Sequence, residues 1–137
     1  MRIMALDLGD SRIGIALSDL MHIIANGYET YHRVNEQKDF EHIVEVAKSN
    51  DVGEIVLGLP INMDGTEGDR VVKSKEFGTK LKEFLPNVKI AYMDERLTTV
   101  SAERVLLEAD VSREKRKKVI DKIAATIILQ SYLDIIK

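Results

Sequence analysis

Apolar residues near the amino terminus form two short runs with a polar turn between them. The runs cover about residues 2–8 and 12–18, and Gly9-Asp10-Ser11 separates them. Glycine accepts positive φ, and Asp and Ser side chains hydrogen-bond to the local backbone, so this spacing predicts a β-hairpin. A third strand is expected over Ile23–Tyr31, with a bulge or turn at Asn26-Gly27.

The period of the apolar pattern changes after Asn35. Phe40, Ile43, Val44 and Ala47 recur at helical spacing. The next apolar run is unbroken until Pro60, which is typical of a strand covered on both faces. The later elements are predicted as a strand from Glu54, a loop over Ile61–Gly68, a helix over Asp69–Phe84, a strand over Val88–Met93, a helix from Thr98 or Thr99, and a last helix from Glu114 or Lys117 to Ile136.

This order of elements predicts an α/β fold. We expect a mixed five-stranded sheet, with three antiparallel leading strands and two parallel later strands, and helices on both faces. In such sheets the functional crevice lies beyond the carboxyl ends of the strands. At 137 residues, of which 45% are apolar, the chain is expected to form a single domain over residues 1–137.

Composition excludes several kinds of site and compartment. The chain has no Cys, which excludes disulfides, zinc-thiolate sites and Cys nucleophiles and fits a reducing cytoplasm. Charges interrupt the amino-terminal apolar stretch, so no signal peptide is predicted, and the late run Ile123–Leu129 is too short to span a bilayer. We therefore expect a soluble, cytoplasmic protein that is not associated with a membrane.

Carboxylates at three places in the chain stand out as candidates for chemistry. Asp7 interrupts an apolar strand, where an ionised side chain is costly unless a partner or a metal holds it. Asp94 and Glu95 follow the last strand and can reach the same crevice. Asp121 lies on the final helix, at the margin of its predicted apolar stripe. That stripe is predicted to comprise Val119, Ile120, Ile123, Ala124, Ile127, Ile128 and Ile135.

Converging carboxylates without a Cys or His cluster suit a hard divalent cation such as Mg²⁺ or Mn²⁺. Such ions activate water and stabilise the leaving oxygen in phosphodiester cleavage, so the site predicts metal-assisted hydrolysis. Simpler interpretations remain open. Asp94 or Glu95 could pair with Arg96, and Asp121 could interact with the start of its helix or pair with Lys117 or Lys118.

Positive charge is concentrated in one segment of a chain whose formal net charge is −3. Residues 113–118 include five basic side chains, which could be a solvated helix start or a contact for phosphates. The polar loop after Pro60 could likewise contact a phosphate or simply form turn hydrogen bonds. The candidate nucleic-acid contacts are Arg12, Asn62, Arg70, Arg96, Lys115, Arg116, Lys117 and Lys118, and Lys73 is a weaker one.

Four stretches occur in order along the chain: Asp7-Leu-Gly with Arg12-Ile-Gly-Ile-Ala, Gly58-Leu-Pro-Ile-Asn-Met-Asp-Gly-Thr-Glu67, Asp94-Glu-Arg-Leu-Thr98 and Asp121-Lys-Ile-Ala-Ala125. Together they resemble the pre-16S rRNA nuclease family, also described as Holliday junction resolvase-like proteins. The resemblance covers nearly the whole chain. It implies an RNase H-like fold, a divalent-metal nuclease site and a role in maturing the 5′ end of bacterial 16S ribosomal RNA. On matching positions, Asp7, Glu95 and Asp121 would be the catalytic acids and hold the metal.

Several alternatives stay open at this point. The substrate could be structured RNA, such as precursor ribosomal RNA, or branched DNA, which a resolvase would cut as a two-fold dimer. A non-catalytic RNA- or ribosome-associated module could share the fold. The Asp-Leu-Gly hairpin also resembles the phosphate-binding lobe of actin-like ATPases and sugar kinases, but those proteins need two lobes. The sequence leaves open whether the chain is a monomer or a homodimer, and whether Asp94 shares the role of Glu95.

Overall fold

The computed structural model describes residues 1–97 and 113–136, and for residues 113–121 it describes the helical backbone but not the side chains. The predicted helix from Thr98 or Thr99 therefore lies outside the described residues. The strands are β1 (Arg2–Leu8), β2 (Arg12–Ser18), β3 (Ala25–His32), β4 (Val52–Leu59) and β5 (Lys89–Asp94). The helices are α1 (Glu36–Ser49), α2 (Asp69–Phe84), a short 3-10 helix (Glu95–Leu97) and α3 (Arg113–Ile135).

The five strands form one mixed sheet in the order β3-β2-β1-β4-β5. β1, β2 and β3 pair antiparallel, whereas β4 pairs parallel with both β1 and β5. The predicted hairpin is confirmed: the Gly9 amide donates to the Arg12 carbonyl oxygen at 2.9 Å. The predicted sheet architecture is confirmed as well, with β1 in the middle and its carboxyl end beside that of β4.

The third strand begins two residues later than predicted because Asp19 holds the chain before it. The Asp19 carboxylate accepts hydrogen bonds from the backbone amides of Ile23 and Ile24 at 2.7 and 2.9 Å, so these residues form a loop rather than a ladder. The predicted bulge is confirmed, since the β2–β3 register shifts between Ile15 and Ala16, opposite Gly27. Asn35 caps α1, as its side chain accepts from the Lys38 amide at 2.9 Å.

Helices cover both faces of the sheet. Side chains of α1 and α2, including Phe40 and Leu81, pack on Leu6 and Leu57. α3 covers the other face, where small residues let it approach the strands closely. A Cβ atom on Gly27 would lie 2.7 Å from Cγ of Lys122 on α3. Side chains alternate along a strand, so Asp7 shares the α3 face with Ile3 and Ala5.

The predicted apolar stripe of α3 is confirmed at Ile128, which is buried, and wrong at four other positions; the side chains of Val119 and Ile120 are not described. Ile135 is 58% exposed, and Ile123, Ala124 and Ile127 are partly exposed. Since apolar residues occur on several sides of this helix, hydrophobicity alone does not fix which side faces the sheet. Fit against the small residues of the sheet selects another face, whose buried residues are Ala125, Ile128, Leu129 and Leu133. Among the described helices, none is long and apolar enough to cross a membrane.

Candidate active site

Asp7 lies at the carboxyl end of the central strand, half-buried on the α3 face. Its neighbour across the β1–β2 ladder is Gly14. On the other side, Gly58 follows Leu57, which pairs with Leu6 of β1. Neither glycine has a side chain to fill the space next to Asp7. The sheet therefore leaves room for other groups to approach this carboxylate.

Glu95 fills part of that space from the other side of β4. It is the first residue of the 3-10 helix after β5, and its side chain lies over Gly58. A Cβ atom at Gly58 would be 3.2 Å from Cδ of Glu95 and 2.5 Å from Cδ1 of Ile128. Contacts under 3.0 Å are not tolerated without movement. Gly58 is thus what allows Glu95 to cross β4 toward Asp7.

The environment of Glu95 disfavours its charged form. Burial, and next the negative charge of Asp7, raise the pKa of Glu95 from 4.5 to about 7. Asp94 adds a smaller effect in the same direction, while the Arg70 guanidinium opposes it. Two carboxylates that repel each other at a strand end form a site where a bound cation would relieve the repulsion. The carboxylate donors therefore fit a hard divalent metal.

The third predicted acid, Asp121, belongs to the part of α3 whose side chains are not described. Among the described side chains, no three His, Cys, Asp or Glu residues lie close enough together to hold a metal ion. The structure therefore brings Asp7 and Glu95 together, and the role of Asp121 stays a prediction. The side chains of Lys115, Arg116, Lys117 and Lys118 are outside the described part in the same way.

Asp94 and Arg96 pair with each other rather than with Glu95. Nη2 of Arg96 donates to Oδ2 of Asp94 at 2.6 Å, and the Arg96 backbone amide donates to Oδ1 at 2.9 Å. The Arg96 hydrogen bond accordingly lowers the pKa of Asp94. The alternative in which an acid pairs with Arg96 thus holds for Asp94. The two adjacent acids occupy different environments, and Glu95 is the one facing Asp7.

The loop before α2 is held by its own hydrogen bonds. The Asn62 side-chain amide donates to Oγ1 of Thr66 at 3.0 Å, and the Gly65 amide donates to the Asn62 carbonyl at 2.8 Å, with Gly65 at φ 88°. Thr66 also donates to the Asp64 carboxylate. Asn62 therefore has a clear structural role in this turn, and its predicted contact with nucleic acid stays a prediction.

Two of the other predicted contacts lie at the same edge of the sheet. Arg70 is an exposed residue in the first turn of α2, close enough to Glu95 to lower its pKa. Arg12 is an exposed residue at the start of β2, paired with His32 across the ladder. Both are placed where an anionic strand lying on the edge could meet them.

Sequence reasoning missed Gly58 and Arg33. Gly58 interrupts the buried run of β4 just before Pro60, and a glycine inside an apolar strand is a recognised sign of close approach. Arg33 gave no such signal. Its Nε donates to the buried Asp39 carboxylate at 2.8 Å and its Nη1 to the Gly9 carbonyl at 2.8 Å, so it ties the β1–β2 turn to α1.

The raised pKa of Glu95 makes the stability of the metal-free protein depend on pH. The folded state binds this proton more tightly than the unfolded chain, so the neutral carboxyl stabilises the fold below about pH 4.5, and this contribution is lost as pH rises through about 7. Glu95→Gln should therefore be more stable than the parent at pH 8. Its free energy of unfolding should also change less with pH between about pH 4.5 and 7. Urea unfolding across this range, in the presence of a chelator, measures the effect, and superimposable profiles would contradict it.

The profile of the RuvX family, described as "Holliday junction resolvase", matches residues 1–135. A protein of Halalkalibacterium halodurans is 52% identical over 136 residues, covering 98% of this chain and 96% of its own length. One from Thermoanaerobacter pseudethanolicus is 53% identical over 135 residues, again covering 98% and 96%. Both carry the name "Putative pre-16S rRNA nuclease".

Two solved structures share the fold at low identity. The first is Thermus thermophilus RuvC in complex with a Holliday junction substrate, with a TM-score of 0.65, 10% identity and coverage of 98% of this chain and 96% of that one. The second is the Fowlpox virus resolvase in complex with Holliday junction DNA, with a TM-score of 0.62, 13% identity and 99% coverage of both chains. The fold is therefore the RNase H-like fold of these resolvases.

Proposed function

The chain belongs to the RuvX family, and from this membership we propose that it is a divalent-metal-dependent nuclease that hydrolyses phosphodiester bonds in precursor 16S ribosomal RNA, at the 5′ end. The names of the curated relatives support the substrate. The observation that carries the chemistry is the pair of repelling carboxylates, Asp7 and Glu95, at the carboxyl edge of the sheet. With this substrate the protein would act in the bacterial cytoplasm, alone or in association with the ribosome.

Asp7, Glu95 and Asp121 are the proposed metal-binding and catalytic acids. Asp121 is supported by its position in the sequence, four residues before Ala125 and seven before Ile128, both of which are buried against the sheet. When bound there, Mg²⁺ or Mn²⁺ would lower the pKa of water and polarise a phosphoryl oxygen. Glu95 would ligate the metal or orient the attacking water.

Basic side chains would hold the nucleic-acid backbone beside these acids. Arg70 is the best supported of them, because its charge already reaches Glu95. Arg12 begins β2 and Arg96 follows β5, both at the same edge of the sheet. The run Lys115-Arg116-Lys117-Lys118 precedes Asp121 by one to two turns of α3 and would bring further positive charge to it.

A second candidate substrate is branched DNA, because the family profile carries the description "Holliday junction resolvase". Symmetric cleavage of a junction requires two active sites related by a two-fold axis. A monomeric chain would therefore favour RNA, and a stable homodimer would make junction cleavage feasible. Sedimentation at the protein concentration of the assay distinguishes these states.

A cleavage assay with matched substrates tests the proposal. The full chain is incubated with a precursor 16S RNA fragment, an unstructured RNA of equal length and a four-way DNA junction, each with Mg²⁺, Mn²⁺ or chelator. We expect metal-dependent cleavage of the precursor RNA at its 5′ side and none with chelator. Cleavage of the junction alone would favour the second candidate. Binding of precursor RNA without cleavage under any metal condition would contradict a nuclease function.

A further inference from the structure

A cavity of about 590 Å³ opens beside the β1–β2 turn, between the start of α1 and the exposed side of α2. Its volume is within the range of about 300–1,000 Å³ that is usual for sites binding small ligands. Leu8, Val34 and Phe77 supply apolar surface, and Asp10, Glu36 and Glu76 supply carboxylate acceptors. Arg33, Lys73, Lys80 and Asp39 line it as well, so its wall carries charges of both signs.

A smaller cavity of about 20 Å³ adjoins the first and is mainly cationic. Arg33, Arg70 and Lys73 line it together with Leu8, Gly9 and Asp10. The two cavities share Leu8, Asp10, Arg33 and Lys73 in their walls. Leu8 and Asp10 follow Asp7 within three residues along β1 and its turn, so both cavities open at the edge of the sheet that carries Asp7.

Existing ion pairs show which charges are available to a ligand. Arg33 is engaged with Asp39 at 2.8 Å, and Lys80 pairs with Glu36 at 2.6 Å. In the part of the chain that the structure describes, Lys73 makes no ion pair, and it is exposed. Lys73 and Arg70 therefore offer positive charge in the narrow cavity. Asp10 and Glu76 offer acceptors in the wide one.

We propose that the two cavities form a subsite for one nucleotide of the substrate strand, at the edge of the sheet that carries Asp7, with its phosphate on Arg70 and Lys73 and its base in the wide cavity beside Asp10 and Glu76. This inference rests on the proposed nuclease function. A nucleotide has one anionic end and one flat, uncharged end that donates hydrogen bonds, which matches the cations of the narrow cavity and the acceptors Asp10 and Glu76 of the wide one. Carboxylate acceptors favour bases with an exocyclic amino group, namely adenine, cytosine and guanine, over uracil.

Binding measurements in the presence of a chelator test the subsite without cleavage. Fluorescein-labelled oligo(C) and oligo(U) are suitable probes because cytosine has an amino group where uracil has a carbonyl. Anisotropy should show that the full chain binds oligo(C) about three- to tenfold more tightly, the value of one or two hydrogen bonds. The double variant Asp10→Ala/Glu76→Ala should lose this preference, whereas Glu45→Ala/Glu83→Ala, an equal charge change at exposed residues outside the cavity, should keep it.

Lys73→Gln should weaken the binding of both probes equally. It should also reduce the slope of the logarithm of the binding constant against the logarithm of the salt concentration by about 0.7, the contribution of one phosphate contact to a single strand. Its control is Lys75→Gln on the same helix, where the lysine pairs with Glu67 outside the cavity. Binding without a preference for cytosine, or Lys73→Gln behaving like Lys75→Gln, would overturn the subsite and leave the nuclease proposal intact.

Three further outcomes are decisive. CMP is added at a concentration equal to that of the nucleotides in the oligo(C) probe. If it displaces oligo(C), the site binds free nucleotides, and the assignment to the substrate strand is overturned. If the full chain bound neither oligonucleotide nor precursor RNA, the proposed function would fail as well. If oligo(C) still binds more tightly than oligo(U) when CMP is present at the same nucleotide concentration as the probe, the subsite is supported.

Discussion

Asp7→Asn is expected to reduce cleavage by about 10³-fold or more, since a metal ion held at this carboxylate supplies several kcal/mol of transition-state stabilisation. The substitution keeps the size of the side chain and removes only its charge. Folding should be preserved, because Asp7 contributes a repulsion with Glu95 that the variant relieves. Single-turnover cleavage of precursor RNA and thermal unfolding of the same preparation measure both effects.

The same substitution has a consequence that does not depend on activity. Because the charge of Asp7 is the second cause of the raised pKa of Glu95, that pKa should fall below about 7 in Asp7→Asn. NMR titration of the Glu95 carboxyl carbon in the metal-free protein reports it. Asp51→Asn is a matched control, since Asp51 is an exposed residue with φ 51°, a conformation that Asn also adopts. Full activity of Asp7→Asn, or an unchanged titration of Glu95, would sink the assignment.

Gly58→Ala is expected to lower cleavage by about 10²-fold without removing an ionisable group, as displacing a reacting group by about 1 Å has this effect. The new methyl group would lie 2.5 Å from Cδ1 of Ile128 and 3.2–3.3 Å from the Glu95 side chain. Both neighbours must move, so Glu95 should be displaced from Asp7. Overpacking should also cost about 1–3 kcal/mol in the free energy of unfolding. Cleavage rates and urea unfolding measure the two effects.

Gly53→Ala provides the control on the same strand. Its added Cβ would meet the side chain of Met1, whose sulfur would lie 2.5 Å away, and Met1 is 71% exposed and flexible enough to move. Activity should therefore be unchanged in Gly53→Ala. Equal losses in the two variants would mean that Gly58 contributes general stability to β4 rather than a passage for Glu95.

The elements of the fold could be predicted where local chemistry defines them. Gly9-Asp10-Ser11 specifies its hairpin, Asn35 caps α1, and Pro60 and the polar loop separate β4 from α2. The buried face of α3 could not be predicted in the same way. Several of its sides are apolar, and the choice depends on the fit of Ala125 against small residues of the sheet.

The candidate site shows the same division. Asp7 was identifiable because a charge in an apolar strand contradicts its surroundings. Distinguishing Glu95 from Asp94 required the structure, since the two acids are adjacent in sequence. Arg96 pairs with Asp94, whereas Gly58 leaves space for the side chain of Glu95 beneath α3. The cavities beside the β1–β2 turn required it too, because Arg33 and Lys73 are brought together from β3–α1 and α2.

Direct measurement of metal binding tests the central claim, that Asp7, Glu95 and Asp121 hold a divalent cation. Mn²⁺ titration followed by electron paramagnetic resonance at pH 8, where Glu95 is ionised, requires no knowledge of the substrate. We expect saturable binding by the parent chain, and its loss in Asp7→Asn, Glu95→Gln and Asp121→Asn. Asp134→Asn, an exposed position near the other end of α3, should bind as the parent does. Parent-like binding of Mn²⁺ by Asp7→Asn and Glu95→Gln would contradict the claim.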